Sequence, residues 1–564
     1  MSIRYIATAE DFEKVPGKPI VYWLSADMIN TFENKCISDL CEIKQGLATC
    51  NNGLFVRYWN EVDFRKIGFG FSSNKETENS EKKWYPYNKG GGYRKWYGNN
   101  YFVVNWYHQG KDIHEYNHIP LDFSAAPVRA KQYYFRSGIT YNLIASTGFS
   151  ARSIDGGYIF DVGGSMLFPS EKIKQYILGL LETKLTSVYL AAINSTLNFQ
   201  VGDIGKVPVI ISDIYFDKVE ELVQECINLS KKDWDSFEIS WGFGSHVLTR
   251  GKNKGKLLSD KFIDWERECN ERFTCLKANE EELNRLFIQI YGLEDELTPE
   301  VEEKDVTIRL ADKERDIRSL ISYLVGIVMG RYSLDVDGLA YAGGEWDVSK
   351  YITYQPDDDG IVPIYTKLGM EDGLTTKIIK LIKIIYGEDT YRQNIDFIAE
   401  ALGKNNNESS EETLNRYLNN GFYQDHLKIY QKRPIYWMFS SGKKAGFKCL
   451  IYMHRYNEDT LARINAKYYL PESTRKKNEL DELNGRITKA EGKEKTRLEK
   501  ERQNLAAAYN EALEYGQVLD HMANQYIKID LDDGVKVNYA KFQGVQLVTD
   551  NGTKVKKDLL VPLK

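Results

Sequence analysis

The sequence predicts an α+β protein, with a mixed β-rich first part followed by a mainly helical region that carries an antiparallel coiled-coil hairpin. Three observations predict it. Up to about residue 215, short apolar runs alternate with Gly- and Asn-containing turns, the texture of small strands. From residue 174 onward, apolar residues recur at three- and four-residue spacing over long stretches, the signature of amphipathic helices. Between about 475 and 525 the chain is densely charged with sparse apolar seams, Leu480, Leu483 and Ile487 on one side and Leu498, Leu505, Tyr509 and Leu513 on the other. Glu491-Gly-Lys-Glu-Lys between them reads as the tip of a helical hairpin. A length of 564 residues implies more than one domain.

In chain order, Ile20-Val-Tyr-Trp-Leu reads as a short strand, after which Ser25 caps a helix through Met28, Ile29 and Phe32. Ile43 to Arg57 reads as strand, Asn-Asn-Gly turn and strand, and Tyr101 to Trp106 and Tyr158 to Asp161 as further strands. Lys174 to Asn194 predicts a helix on the stripe Ile177, Leu180, Leu181, Leu185 and Val188. Ser212 to Ser230 predicts another, and residues 231–257 read as an irregular connector. Ser259 to Gly292, Asp312 to Ser333 and Leu374 to Tyr386 predict helices. Asp335 to Gly360 reads as loop, and Asn394 to Asn419 as broken helix. Residues 422–455 are aromatic and basic, and a β-rich tail closes the chain from Ile527.

Composition narrows the classes of function. Net charge is −6, from 75 basic and 81 acidic side chains, so contact with nucleic acid has to come from a local patch rather than from bulk charge. The seven cysteines are scattered without a Cys-x-x-Cys pair, which argues against a cysteine zinc site or a disulfide framework and for a reducing, cytoplasmic compartment. The first residues lack the apolar core of a signal peptide, and no run approaches the length of a membrane span.

Residues 82–97 hold five cations (Lys82, Lys83, Lys89, Arg94, Lys95), six aromatics and three glycines, with no acid among them. Cations attract phosphate and rings stack on bases, so this stretch reads either as a nucleic-acid patch or as a hairpin with half-core aromatics and solvated lysines. A second basic and aromatic cluster spans Arg129, Lys131, Tyr133, Tyr134, Phe135, Arg136 and Tyr141. The search for catalytic motifs returns little. His114-Glu-Tyr-Asn-His118 matches the zinc-protease pattern, but Gly110 and Pro120 flank it and no third ligand stands nearby. Gly68-Phe-Gly, Asp161-Val-Gly-Gly-Ser and Gly242-Phe-Gly-Ser complete no dinucleotide loop, and no P-loop or Gly-x-Ser-x-Gly elbow occurs. No catalytic, cofactor-binding or metal residue is expected in this chain.

Several long motifs closely resemble the PglX family, the adenine-specific DNA methyltransferases of BREX phage-defence systems. They include Gln45-Gly-Leu-Ala-Thr, Lys83-Trp-Tyr-Pro-Tyr-Asn-Lys-Gly-Gly, Tyr93-Arg-Lys-Trp-Tyr-Gly-Asn and Thr196-Leu-Asn-Phe-Gln-Val-Gly-Asp-Ile. Asp233-Trp-Asp-Ser-Phe-Glu, Tyr291-Gly-Leu-Glu-Asp-Glu-Leu-Thr-Pro-Glu-Val, His426-Leu-Lys-Ile-Tyr-Gln-Lys-Arg-Pro-Ile-Tyr-Trp and Asp530-Leu-Asp-Asp-Gly-Val belong with them. The family's methyltransferase half uses a glycine-rich S-adenosylmethionine loop and an Asn-Pro-Pro-Tyr/Phe motif, whereas this sequence contains no Pro-Pro pair. The resemblance therefore implies the C-terminal half, with catalysis supplied by a separate polypeptide or lost from a split or truncated gene.

The expected organisation is a target-recognition domain at 1–215, a connector at 216–260, a helical domain at 261–420, an aromatic and basic segment at 421–470, the coiled-coil hairpin at 471–526 and a β-rich tail at 527–564. S-adenosylmethionine is implied for the complete enzyme and not for this chain. The implied partners are double-stranded DNA, a methyltransferase catalytic half and other BREX proteins, with no membrane. Arg and Lys read guanine or hold phosphate, and Asn and Gln read adenine. On that chemistry the expected DNA contacts are Lys44, Gln45, Arg57, Lys83, Tyr87, Asn88, Lys89, Arg94, Lys95, Arg136, Arg152, Asn198 and Gln200. A non-catalytic subunit that uses the same surface to bind an acidic protein is the alternative, and competition between DNA and that partner separates the two.

Overall fold

The computed structural model describes residues 9–144, 148–194, 196, 198–548, 552 and 554–563. The absence of a signal peptide, read from the first residues, and Leu197 of the Thr196–Ile204 motif lie outside them. The chain divides into two compact units. The first holds the residues up to Trp59, Lys66–Trp241 and Glu266–Ala311; the second holds Asn60–Arg65, Gly242–Trp265 and the chain from Asp312 on.

Among the described residues, eight short strands build the first unit: β1 Glu42–Lys44, β2 Val56–Tyr58, β3 Trp84–Asn88, β4 Phe102–Asn105, β5 Gly138–Tyr141, β6 Ala151–Ile154, β7 Ile159–Phe160 and β8 Met166–Phe168. They form two four-stranded sheets, ordered β1-β8-β5-β6 and β2-β4-β3-β7. All pairings are antiparallel except β3 with β7. Proline is uncommon in an inner strand because it lacks a ladder donor. Pro86 is tolerated in β3 because β7 joins only at Tyr87 and Asn88, one residue beyond it. One core gathers Tyr85, Tyr87, Trp106, Tyr134 and Phe160; another gathers Trp96, Tyr141, Tyr176 and Phe287 with the apolar faces of the helices.

Those helices are Lys174–Leu181 and Lys184–Ile193, bent by 72° where a single helix is expected, then Phe216–Trp234 and the larger part of Leu258–Tyr291. Among the described residues no single helix is long and apolar enough to cross a membrane. The expected strand at Ile20–Leu24 is a turn, since Ile20, Tyr22 and Trp23 are largely exposed and offer no buried face. Ser25 caps the following helix, its hydroxyl accepting from the Met28 amide at 3.0 Å. The Asn-Asn-Gly turn is a one-turn helix, Asn52–Phe55, capped by the Asn51 carboxamide.

In the second unit, Asp312 caps helix Lys313–Met329 and Gly330, at φ +80°, ends it. Helices Leu374–Tyr386, Tyr391–Ala401, Ser410–Asn420 and Phe422–Ile429 follow. The aromatic and basic segment supplies strands β10 Tyr436–Ser440 and β11 Lys448–Tyr452, which pair with each other, and β11 also pairs with β9 Ile361–Pro363. Its rings, Trp437 and Phe439 among them, are core. Helices Leu470–Ile487 and Gly492–Ala523 pack on each other across a short turn. The β10–β11 turn is seated on the longer one, because the Glu511 carboxylate accepts from the Ser441 hydroxyl and the Lys444 amide, both at 2.9 Å. Hairpin β12 Val545–Val548 and β13 Lys554–Lys557 lies in the tail.

Candidate nucleic-acid interface

The basic and aromatic stretch 82–97 belongs mostly to the interior of the first unit. Trp84, Tyr85 and Tyr87 are buried in β3, and Trp96 is fully buried in the helical core. Arg94 donates through Nη2 to Asp233 Oδ2 (2.9 Å) and the Ser230 carbonyl (3.1 Å), through Nε to the Tyr97 carbonyl (2.7 Å) and through Nη1 to the Thr307 carbonyl (3.1 Å). Lys95 Nζ pairs with Glu280 Oε2 at 2.9 Å, and the Trp96 indole donates to the other oxygen of the same carboxylate at 2.7 Å. Burial pulls the Lys95 ammonium down, yet Glu280 and Glu182 together hold it above its ordinary value. Burial pushes the Glu182 carboxyl up to about 8, against the pull of Lys95.

Arg152, fully buried, donates to the carbonyls of Arg94 and Gly90 and to Asn142 Oδ1, and burial lowers its guanidinium to about 10. The Asn88 amide donates to Thr140 Oγ1 and the Gly164 carbonyl. The Tyr87 hydroxyl lies 2.7 Å from Asp161 Oδ2, the same oxygen that pairs with Lys89 Nζ at 2.7 Å. Arg57 donates to the Gly53 and Val56 carbonyls, and both it and Lys83 lie over the Trp84 ring. Of the expected DNA contacts, then, Tyr87, Asn88, Arg94, Lys95 and Arg152 are committed to holding this unit together. The reason is tertiary: the acids that neutralise Arg94 and Lys95 come from helices about 140 and 185 residues further on.

A different group does converge. Lys44, Gln45 and Gln200 line an open depression of 490 Å³ together with Arg129 and Gln132, and among the described residues no carboxylate lines it. Arg136 lies nearby, its guanidinium and the Lys44 ammonium each 5.2 Å from the Tyr133 ring centre. Glu42 stands at the margin, with Oε2 2.5 Å from Lys44 Nζ and accepting also from the Tyr133 hydroxyl. That ion pair holds the Glu42 carboxyl below its ordinary range and the Lys44 ammonium above its own. Asn198 is exposed on the loop leading to Gln200 and bridges Ile144.

The backbone under this face is tightly placed. A Cβ on Gly46 would stand 1.8 Å from the Phe160 carbonyl oxygen, so only glycine lets the chain pass there. The Leu47 amide donates to that carbonyl at 2.8 Å and the Ala48 amide to the Pro127 carbonyl at 3.0 Å. On the facing segment, the buried Tyr134 hydroxyl donates to the Arg129 carbonyl at 2.8 Å. Arg129 and Gln132 are absent from the expected contacts although their basic and aromatic segment stands out in the sequence. Nothing local shows that it folds against residues 43–45.

Other openings suit a polyanion less well. The larger depression of 850 Å³ in the first unit is lined by Asp155, Glu171, Asp213, Asp217 and Glu220 against three lysines. At the zinc-protease-like pattern, the Lys131 ammonium lies 3.3 Å from His114 Nε2, where it opposes a metal cation. His118, at φ +56°, follows the end of helix Tyr107–Tyr116. Among the described residues no group of three or more His, Cys, Asp or Glu side chains is arranged to hold a metal.

No protein-family model matches the chain. Two curated proteins are similar to it. One is the adenine-specific methyltransferase PglX of Lacticaseibacillus casei (strain Zhang), 38% identical over 553 residues, covering 96% of this chain and 45% of that protein. The other is the adenine-specific methyltransferase BrxX of Escherichia coli O9:H4 (strain HS), 36% identical over 568 residues, covering 94% of this chain and 45% of that protein. The chain is therefore similar, over nearly its whole length, to a little under half of two adenine-specific methyltransferases.

Proposed function

We propose that this chain is the DNA-recognition part of a site-specific N6-adenine DNA methyltransferase of a BREX-type defence system. The S-adenosylmethionine chemistry lies outside these 564 residues. The observation that carries the reading is the carboxylate-free depression where Lys44, Gln45, Arg129, Gln132 and Gln200 meet. Cations beside it suit phosphate, and amides and a guanidinium within it suit base edges. The similarity to adenine-specific methyltransferases, together with a sequence without a Pro-Pro pair, supports recognition rather than catalysis.

In this reading Lys44 and Arg136 anchor phosphate, and Gln45, Arg129, Gln132 and Gln200 face the bases. The second unit, with its paired long helices read as a coiled-coil hairpin, serves contact with the catalytic half or with other defence proteins. The test is binding of the full chain to duplex DNA across a salt series, beside calorimetry with S-adenosylmethionine. Expected are salt-dependent DNA binding that Lys44→Ala and Arg136→Ala weaken with a shallower salt slope, and no uptake of S-adenosylmethionine. Methylation of DNA by this chain alone would overturn it.

A further inference from the structure

We propose that Arg129 and Gln45 form a single reading unit that presents chiefly hydrogen-bond donors and thereby selects guanine. This rests on the DNA-recognition reading and assigns the base class that the depression takes. Arg129 Nη1 donates to Gln45 Oε1 at 3.2 Å. A guanidinium has donors and no acceptor, so the amide atom that faces it has to be oxygen, whichever way a carboxamide is otherwise turned. The Gln45 nitrogen is thereby directed away from Arg129 with its two N–H groups.

A free glutamine reads adenine by accepting from N6 through oxygen while donating to N7 through nitrogen. Gln45 has its oxygen turned to Arg129 with one of its two lone pairs taken, which leaves the nitrogen, with two N–H groups, as its principal reading atom. What the pair offers a ligand is the Gln45 amide N–H groups beside the remaining guanidinium N–H groups. In the major groove guanine alone shows two adjacent acceptors, O6 and N7, on one base; adenine and thymine each pair a single acceptor with an amino or a methyl group. A donor-rich unit matches the first better than the others.

The pair is also held in place, as discrimination requires. Gln45 is followed by Gly46, locked against the Phe160 carbonyl, and the Arg129 carbonyl is fastened by Tyr134. The Tyr134 ring itself is packed between Trp106 and Phe160. Arg129 and Gln45 are half-buried, which limits the rotamers they sample, yet both line the open depression.

The test uses the full chain and a pool of duplexes carrying a randomised central stretch, with the bound fraction sequenced for wild type, Arg129→Ala, Gln45→Leu and Arg129→Lys. The wild type is expected to enrich a motif containing a guanine position that both Arg129→Ala and Gln45→Leu relax while the rest of the motif persists. Replacing that guanine by 7-deazaguanine, which lacks the N7 acceptor, is expected to weaken wild-type binding about tenfold and to leave Arg129→Ala binding unchanged. Arg129→Lys, a point charge without the planar fork, does not restore the preference. If Arg129→Ala fails to fold, Gln45→Leu and the 7-deazaguanine duplex carry the decision. An enriched motif that neither variant alters, or whose altered position is adenine, overturns the guanine assignment and leaves DNA recognition standing. Failure of the wild-type chain to retain any duplex at low salt overturns the DNA-recognition reading itself.

Discussion

Arg94→Ala separates a DNA-binding role from a structural anchor at one of the expected contacts in the basic stretch 82–97. The Arg94 side chain is 7% exposed and its partner Asp233 2% exposed, 2.9 Å apart. Removing one member of a buried, hydrogen-bonded ion pair costs about 3–5 kcal/mol, because the other charge stays desolvated. Asp233 keeps the Arg309 amide as a donor at 3.1 Å, which places the cost near the lower end, about 3 kcal/mol. The guanidinium also stands 5.1 Å from the Trp234 ring centre, and the variant forgoes that cation–π attraction too. About 3 kcal/mol is roughly a 150-fold shift of the folding equilibrium. With a urea dependence of about 3 kcal/mol per M, the unfolding midpoint of the first unit falls by about 1 M. Urea titration followed by tryptophan fluorescence measures it, alongside DNA affinity of the folded variant, expected to stay within about twofold of wild type. A midpoint within about 0.3 M of wild type combined with a clear drop in DNA affinity would refute the argument, and would return Arg94 to the interface.

Three further outcomes are expected. Glu42→Gln releases Lys44 from its carboxylate, so DNA affinity rises roughly two- to fivefold at low salt and the gain shrinks as salt screens it; unchanged affinity would exclude Lys44 as a phosphate anchor. Glu182 keeps its proton in the folded state up to about pH 8 but gives it up near its ordinary value when unfolded, so its contribution is present in acid and is lost as pH rises from about 4.5 to about 8. Glu182→Gln should flatten that decline in urea or thermal melts of the first unit, and a pH profile identical to wild type would rule the carboxyl out as its source. In the second unit burial lowers His246, His426 and His454 to about 3, so unfolding takes up protons that the native state refuses and stability falls as pH drops from about 6.5 toward 3. Melts between pH 4 and 8 should therefore show the second unit losing stability on acidification, and His426→Phe should soften that decline.

Much of the local architecture was legible in the sequence. The three-and-four spacing around Leu374 to Tyr386 marks a helix that the structure bounds at Leu374–Tyr386, and the charged run beyond 475 marks two long helices with a break between Ile487 and Gly492. Ser25 was a recognisable cap because capping is set by a hydroxyl or carboxylate within three residues of the amide it receives. Ile20–Leu24 was not legible, because an apolar run becomes a strand only where a partner strand and a buried face await it.

The candidate site divides along the same line. Residue types alone supplied an inventory of cations, amides and rings, and three of the expected contacts, Lys44, Gln45 and Gln200, do meet in one depression. The same inventory credited Arg94, Lys95 and Arg152 with outward roles, since composition cannot say whether a cation faces solvent or a carboxylate that arrives from far along the chain. By itself the sequence determined the periodicities, the caps and the resemblance to half of an adenine-specific methyltransferase, because these depend on neighbours a few residues apart or on long motifs. Only the tertiary structure decided that Asp233 and Glu280 would neutralise the basic stretch, and that Arg129 would lie against Gln45. Burial and ion pairing depend on which distant segments share a core, and that pairing of segments exists only once the chain has folded.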